Sequence, residues 1–398
     1  MVTALAFMLV VAGSGLACAD SGQFRTVSRA AVEGRLLPPR LPVSHGLVRY
    51  VAPSGSNRNP GTRARPWRTI QKALDTLRPG ETALVRAGTY TQSLVMHRAG
   101  TARAPITVRA YRGERPVVHP GGSGTMDYPL RITAGAAYFR FSGFVVEEAP
   151  LHTTMNIWIS DGQRTSGPAP THHIEISGCE IRRGTGSGVL VSPNTEAVQL
   201  IGNIVHDNGD GSRQAQGIYF QGHDGLIANN LVYHQTNGFG IQVRGNYPDP
   251  DTVAQIPARN VIVTNNTVAG NSLSGILVEN TAERTTVVNN ISAFNGSHGV
   301  VGYDNGSGSV LLGNVVRRNL AWGNRSGGFG NDRRAVIDFS GGNLVANPLF
   351  VDAARRDYRL RAGSPALNGA LAAYAPGFDL RGRSRFRHAN PDLGALER

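Results

Sequence analysis

Lysine is almost missing from this chain: of 40 lysine and arginine residues in 398, only Lys72 is a lysine. Cysteine is nearly as scarce, with two, Cys18 and Cys179. Cys18 falls in an apolar leader, so Cys179 stands alone in the mature chain and no intramolecular disulfide can form; stability has to come from a packed core. No histidine is paired beside Cys179 in Ile176-Ser177-Gly178-Cys179-Glu180-Ile181, so it reads as a packed residue rather than a nucleophile. Acidic residues are also short, 27 against 40 basic, giving a formal net charge of +13 and a pI of about 10.5. That balance favours an anionic partner: acidic polysaccharide, nucleic acid or an anionic surface. No basic run is interleaved with aromatics, which sets nucleic acid aside. No apolar run is long and clean enough to span a membrane. Residues Val2 to Ala17 are apolar and lead into Ala17-Cys18-Ala19, the form of a secretory leader cut after Ala19, although its positive start is missing. Secretion is the expectation.

Helical periodicity is absent as well, which argues against leucine-rich, ankyrin and helical repeats. Glycine is abundant, with 50 residues, and suits a turn-dense β fold. A repeat fills the stretch from Ser187 to Asn319. Each unit opens with Gly, apolar, any, apolar: Gly188-Val189-Leu190-Val191, Gly217-Ile218-Tyr219-Phe220, Gly240-Ile241-Gln242-Val243, Gly275-Ile276-Leu277-Val278, and a looser Gly299-Val300-Val301-Gly302. Each then reaches an Asn: Asn203, Asn230, Asn266, Asn290 and Asn314, at steps of 27, 36, 24 and 24 residues. A further Asn often follows, at Asn208, Asn271, Asn295 and Asn319. A period in the low twenties with occasional insertions marks a solenoid. Within a unit the apolar residues alternate, so Ile218 and Phe220 point inward and Tyr219 and Gln221 outward. Short strands, Gly and Asn corners and inward Asn side chains stacked from turn to turn predict an all-β, right-handed parallel β-helix.

Around this block the chain divides into a leader (1–19), a linker without period (20–46), the coil with its cap (47–342) and a closing segment (343–398). Thr69 can cap a short helix with Ile70, Ala73, Leu74 and Leu77 on one face. Such a helix would plug the open end of the coil, and Thr82 to Tyr90 would be the first rung. The passage Tyr50-Val51-Ala52-Pro53-Ser54-Gly55, Asn59-Pro60-Gly61-Thr62 and Pro66-Trp67-Arg68-Thr69-Ile70-Gln71-Lys72-Ala73-Leu74 resembles the cap and first turn of secreted bacterial β-helix proteins of the pectate lyase-like superfamily. The tail, with Asn347-Pro348-Leu349-Phe350, Gly363-Ser364-Pro365 and Asp392-Leu393-Gly394, resembles the C-terminal segment of anchor-bearing secreted β-helix proteins. Its Asp and Arg residues are expected to pin the last turn.

The resemblance implies a carbohydrate-active protein, a lyase or epimerase on an acidic, uronate-containing polysaccharide, acting as a monomer. Many relatives use a Lys or Arg base with calcium. Lys72 belongs to the cap helix, so a lysine base is excluded here; calcium stays open as a cofactor, with no metal ligands assigned. Aligning the units gives two outward columns. The first reads Trp158, Leu190, Tyr219, Gln242, Leu277, Val301, and the second Ser160, Ser192, Gln221, Arg244, Glu279, Tyr303. Trp158 and Tyr219 can stack on sugar rings, and Arg244 can hold a carboxylate in bidentate fashion. The candidate catalytic set is therefore Tyr219, His223 and Arg244, with Tyr219 or His223 as base or acid and Gln242 assisting Arg244 as neutraliser. Trp158, Gln221, Gln242, Glu279 and Tyr303 are the candidate substrate contacts. Two readings compete. A glycoside hydrolase needs paired carboxylates, for which Asp207, Asp210 and Asp224 are candidates, although Asp207-Asn208-Gly209-Asp210-Gly211 also reads as a plain turn. A non-catalytic adhesive surface would need no chemistry. His206 and Tyr233, at matching offsets, are expected to form a surface stack on another face. A second histidine group comprises His152, His172 and His173.

Overall fold

The computed structural model describes residues 36–120, 128–133, 135–147, 155–160, 170–212, 214–246, 256–279, 281–304, 313–387 and 390–398. The leader, residues 20–35 of the linker, His152, residues 161–169 and the Pro248-Asp249-Pro250-Asp251 insertion lie outside the described residues.

Three parallel sheets of 11, 10 and 9 strands wrap into a right-handed coil, and each turn contributes one strand to each sheet. One turn runs Gln199–Ile201 in the first sheet, Ile204–His206 in the second and Ile218–Phe220 in the third, before Leu226–Ala228 returns to the first. The alternation read from the sequence sets the faces. Val189, Ile218, Ile241, Ile276 and Val300 stack inward at equivalent positions, all 0 or 1% exposed. Their burial against the inward residues of the other two sheets makes one continuous core. The helix Ile70–Thr76, capped by the Thr69 hydroxyl accepting from the Lys72 amide, buries Ile70, Ala73 and Leu74 beside strand Leu94–Met96. The first strand is Val48–Val51, ahead of the helix; Thr82–Val85 pairs with it, and Thr89–Tyr90 belongs to a different sheet.

The corner between the first and second sheets explains the Asn pairs. Gly178, Gly202, Asn229, Asn265 and Asn289 occupy left-handed backbone there, with φ of 61, 64, 58, 51 and 62°, a conformation that Gly and Asn adopt at low cost. The next residue turns inward, so Asn203, Asn230, Asn266, Asn290, Asn319 and Asn343 form a buried ladder in which each Nδ2 donates to the next Oδ1 at 2.9–3.0 Å. A second ladder links Asn156, Asn208, Gln235, Asn271, Asn295 and Asn324. One register differs from expectation. Asn319, not Asn314, continues the first ladder, because strand Thr286–Val288 pairs with Val315–Arg317. Asn314 instead accepts from the Thr285 amide at 2.8 Å and donates to the Ala282 carbonyl at 2.8 Å. The Leu-Gly-Asn text at 312–314 imitates the repeat five residues early.

Two segments outside the repeat lie along the coil. Residues 36–46 strap the first sheet: Arg40 pairs with Glu175, and the Gln199 amide donates to the Pro39 carbonyl at 2.8 Å. Residues from Phe350 onward cover the outer face of the second sheet, where Phe350, Tyr358, Leu360, Leu393 and Leu396 pack on Leu231, Ala269, Ile291, Ala293 and Leu320. Their polar groups grip the corner column well above the last turn. Asn229 donates to the Phe378 carbonyl, Asn265 to the Asp392 carbonyl and Asn289 to the Leu371 carbonyl.

Candidate functional site

Among the described residues the strap packs on the first sheet and the C-terminal segment on the second, and the columns read from the sequence are the outward columns of the third. The strand register pairs Trp158 with Leu190, Leu190 with Tyr219, Tyr219 with Gln242, Gln242 with Leu277 and Leu277 with Val301. It likewise pairs Arg244 with Glu279, Glu279 with Tyr303 and Tyr303 with Asp332. Residues as far apart in the chain as Arg244 and Glu279 thus become neighbours about 4.8 Å apart along the coil.

A cleft of about 410 Å³ opens on this face, and its lining includes Gln214, Arg244, Glu279, His298, Tyr303 and Asp332. Arg244 is its cationic centre. Its guanidinium carbon lies 5.9 Å from the Tyr219 ring centroid, and Nη1 is 3.6 Å from Glu279 Oε1. Only 11% of the Arg244 side chain and 7% of the Glu279 side chain are exposed, so the pair is held in a partly desolvated setting where charge is strongly felt. Gln242 donates from Nε2 to Glu279 Oε2. The Tyr219 hydroxyl accepts from Gln221 Nε2 at 3.2 Å, and Arg333 stands 5.6 Å over the Tyr303 ring.

The cleft does not gather every residue singled out from the sequence. Arg244, Glu279 and Tyr303 line it; Tyr219 touches it through Arg244. Gln242 is 2% exposed and donates to Glu279, so it orients that carboxylate and is too buried to meet a substrate carboxylate directly. Trp158 lies further up the same column, with Nε1 donating to Ser192 Oγ at 3.0 Å, Arg131 4.5 Å above its ring and Tyr128 at 5.0 Å edge-on. It lies on the same face, apart from the cleft. His223 is elsewhere: its backbone bridges Glu196 and Arg259 in a short ladder between the third and first sheets, and its Nδ1 meets Asp224 Oδ2 at 2.8 Å.

None of the three aspartates lines the cleft, and each has partners of its own. Asp207 is on the second-sheet side, where it meets His206 at 2.8 Å and Arg356 at 2.9 Å. Burial alone would raise its pKa, but hydrogen bonds from His206 and Arg356 outweigh that and hold it below the ordinary carboxylate value. Asp210 accepts from Ser212, a turn bond. Asp224 accepts from Asn260 at 2.8 Å as well as pairing with His223. His206 and Tyr233 stack at 4.8 Å and 4° on the second sheet, apart from the cleft. His172 and His173 face each other, Nδ1 to Nδ1, at 2.9 Å. Cys179 is 1% exposed and burial pushes its thiol up to about 11, which leaves it unreactive.

Two titratable residues of the cleft, His298 and Asp332, escaped the sequence reading. His298 precedes the unit glycine Gly299, as Ser187, Gln216, Phe239 and Ser274 precede theirs; reading that position as a column would have found it. Asp332 comes from Gly327–Arg333, a strand whose text lacks the apolar alternation. Among the described residues no three His, Cys, Asp or Glu side chains are grouped to hold a metal ion. Lys72, the one lysine, is in the cap helix. A calcium-and-lysine arrangement does not fit the described residues.

Residues 49–246 match the family model for the Pel9A-like, right handed beta helix region. Pectate lyase L of Dickeya dadantii (strain 3937) is 23% identical, over 89% of this chain and 92% of its own length. Protein YwoF of Bacillus subtilis (strain 168) is also 23% identical, over 77% of this chain and 81% of its own. Among solved structures, pectate lyase Pel9A superposes with a TM-score of 0.58 at 19% identity, covering 88% of this chain and 96% of that one. The two uncharged ladders, the three-sheet coil and these matches lead to one assignment: the chain is a right-handed parallel β-helix protein whose residues 49–246 form a Pel9A-like β-helix region.

Proposed function

We propose that this protein is a secreted polysaccharide lyase acting on an acidic, uronate-containing polymer bound along the outer face of the third sheet. The observation that carries the reading is the guanidinium of Arg244, fixed between the Tyr219 ring and the Glu279 carboxylate in a cleft on the elongated third sheet. The net charge of +13 and the lyase-like relatives point the same way.

In β-elimination a base removes the proton next to the uronate carboxylate. The electron pair forms the ring double bond, the glycosidic bond breaks, and its oxygen leaves with a proton. The carboxylate must be neutralised for that proton to become acidic. Arg244 supplies a planar, permanently charged fork for the carboxylate. Glu279 and Gln242 keep the fork from rotating. His298 lines the same cleft and is of the residue type that exchanges protons near neutral pH, so it takes the proton in this reading; the Tyr303 hydroxyl is placed to serve the leaving oxygen. His223 has no part in it. Trp158, two turns above Tyr219, carries a flanking sugar by stacking.

Polygalacturonate, alginate and a neutral glucan are incubated in turn with the protein, and ultraviolet absorbance of the unsaturated product and new reducing ends are both followed. The expected result is absorbance with an acidic polymer only, lost in Arg244→Ala and reduced at least ~100-fold in His298→Gln, in keeping with loss of a general base. Reducing ends without absorbance, or full turnover by Arg244→Ala, would overturn the reading.

A further inference from the structure

A second concavity, remote from the third-sheet cleft, follows the corner between the first and second sheets. It holds about 770 Å³ between the strap, at Leu37–Arg40, and the returning segment, at Pro376–Leu380. A smaller one of about 360 Å³ continues it around the corner, sharing Gly178, Gly202 and Leu380. The repeat explains why it is open. Lower turns carry Asn229, Asn265 and Asn289 at the corner, and the C-terminal segment binds them. Upper turns carry Gly178 and Gly202, where an added Cβ would meet nothing within 4 Å. The segment has no side chain to grip there, and among the described residues the trough stays open.

Its floor is apolar: Ile201, Leu226 and Ala228 form a small cluster with Leu37 of the strap, and Phe378, 53% exposed, stands at the edge. Its rim is cationic. Arg109, Arg112 and, in the continuation, Arg381 are exposed; among the described residues the guanidinium groups of Arg109 and Arg112 make no hydrogen bond or ion pair, while the charge of Arg381 acts on Asp357. The nearby carboxylates are already engaged. Glu114 takes Arg86 Nε at 2.8 Å and the Ala87 amide at 2.5 Å, and Asp379 takes the amides of Arg381 at 2.9 Å and Arg383 at 2.7 Å. A concavity within the ~300–1,000 Å³ of small-molecule sites, with an apolar floor and a few convergent charges, is the form of a binding site for an amphipathic ligand.

We infer that this corner trough binds an alkyl or aryl-alkyl carboxylate, its apolar body on Leu37, Leu226 and Phe378 and its head group on Arg109 and Arg112. A sugar acid fits less well, because the floor is aliphatic and offers few hydrogen-bonding groups for hydroxyls. The site is independent of the third-sheet cleft and of any activity there.

Titration calorimetry of the full chain with decanoate, below its micellar concentration, tests it. Saturable one-to-one binding is expected, weakened at least tenfold in Arg109→Ser/Arg112→Ser, which alters two exposed, unpaired side chains. Decanol should bind at least tenfold more weakly than decanoate, and Arg244→Ala should bind decanoate unchanged. Phe378→Ser, also at an exposed position, should weaken binding from the apolar side. No saturable decanoate binding, equal affinity for decanol, unchanged affinity in the double arginine variant, or displacement of decanoate by trigalacturonate would each overturn the inference.

Discussion

The strands Thr267–Ala269 and Ile291–Ala293 of the second sheet present Thr267, Ala269, Ile291 and Ala293 outward, whereas the strands Ile241–Arg244 and Ile276–Glu279 of the third present Gln242, Arg244, Leu277 and Glu279. Both faces come from the same turns and share the same inward core. On the second sheet the small and apolar outer residues are sealed beneath Phe350, Tyr358, Leu393 and Leu396. On the third, charged and aromatic side chains are held in place by one another. A coil needs only its inward residues to fold; what the outward ones are decides whether a face becomes a second core or a working surface. The largest consequence should therefore come from breaking the seal, and the smallest from touching what belongs to neither face.

Arg385 is the most severe test of the sealed face. It is 0% exposed, and it donates to Glu397 at 3.0 Å, Asn229 at 2.8 Å and the Gly394 carbonyl at 2.7 Å. Arg385→Ala leaves the buried Glu397 carboxylate without its charge partner and the Asn229 side-chain oxygen without its donor, a loss of about 3–5 kcal/mol. We expect a protease to cut within 350–398 in this variant at concentrations that spare the parent, while the coil up to Asn343 stays intact. Uniform resistance to digestion would mean that the cover is held by its apolar contacts alone.

The strap on the first sheet depends on acid. Glu175 has a fully buried side chain; burial raises its pKa, but hydrogen bonds and charge from Arg40, then Arg140, outweigh that and hold it below the ordinary glutamate value. Because the folded value is below the unfolded one, the stability it contributes is present above the unfolded value and is lost as pH falls through the folded one. Unfolding free energy followed by denaturant titration from neutral to acid should show this decline. Glu175→Gln should flatten it and cost about 1–3 kcal/mol at neutral pH by leaving Arg140 without its charge partner. An unchanged acid limb in Glu175→Gln would assign that limb to other carboxylates.

On the working face the split between stability and function should reverse. Tyr303 is half-buried, lines the cleft and lies under Arg333. Tyr303→Ala is expected to change stability by less than ~1 kcal/mol and to lower kcat/KM on the polymer at least tenfold. Destabilisation matching that of Arg385→Ala would make Tyr303 part of the scaffold.

Much of this contrast was legible in the sequence, and unevenly so. The third-sheet columns from Trp158 to Tyr303 followed from a single alignment on glycine, because strand register in a parallel coil is fixed by the inward residues. The inward Asn ladder followed too, up to Asn314, where a chance Leu-Gly-Asn shifted the reading by five residues from Asn319. The covering of the second sheet was not legible. Residues 347–398 carry no period, and nothing local in Ala269 or Ala293 says what lies on top of them. The buried state of Gln242 was hidden for a related reason: it occupies an outward position, but its neighbour Glu279 in the next turn closes over it. His223 was drawn into the site by closeness in the chain to Gln221, although three residues past the strand end at Phe220 are enough to carry a side chain round a corner.

That corner makes His223 the finest test of the comparison. The ring is about one-third exposed, its Nδ1 pairs with Asp224 at 2.8 Å, and Asp224 keeps a second partner in Asn260 at 2.8 Å. Exposed pairs of this kind contribute about 0–1 kcal/mol, so His223→Ala should alter stability and polymer turnover only marginally. One local effect is expected. Burial raises the Asp224 pKa, but hydrogen bonds from His223 and then Asn260 outweigh it and keep it below the ordinary aspartate value. Removing the imidazole should move the Asp224 carboxyl upward in an NMR titration while kcat on an acidic polymer keeps its pH profile. A changed profile would tie this corner to the chemistry and erase the distinction between the working face and its surroundings.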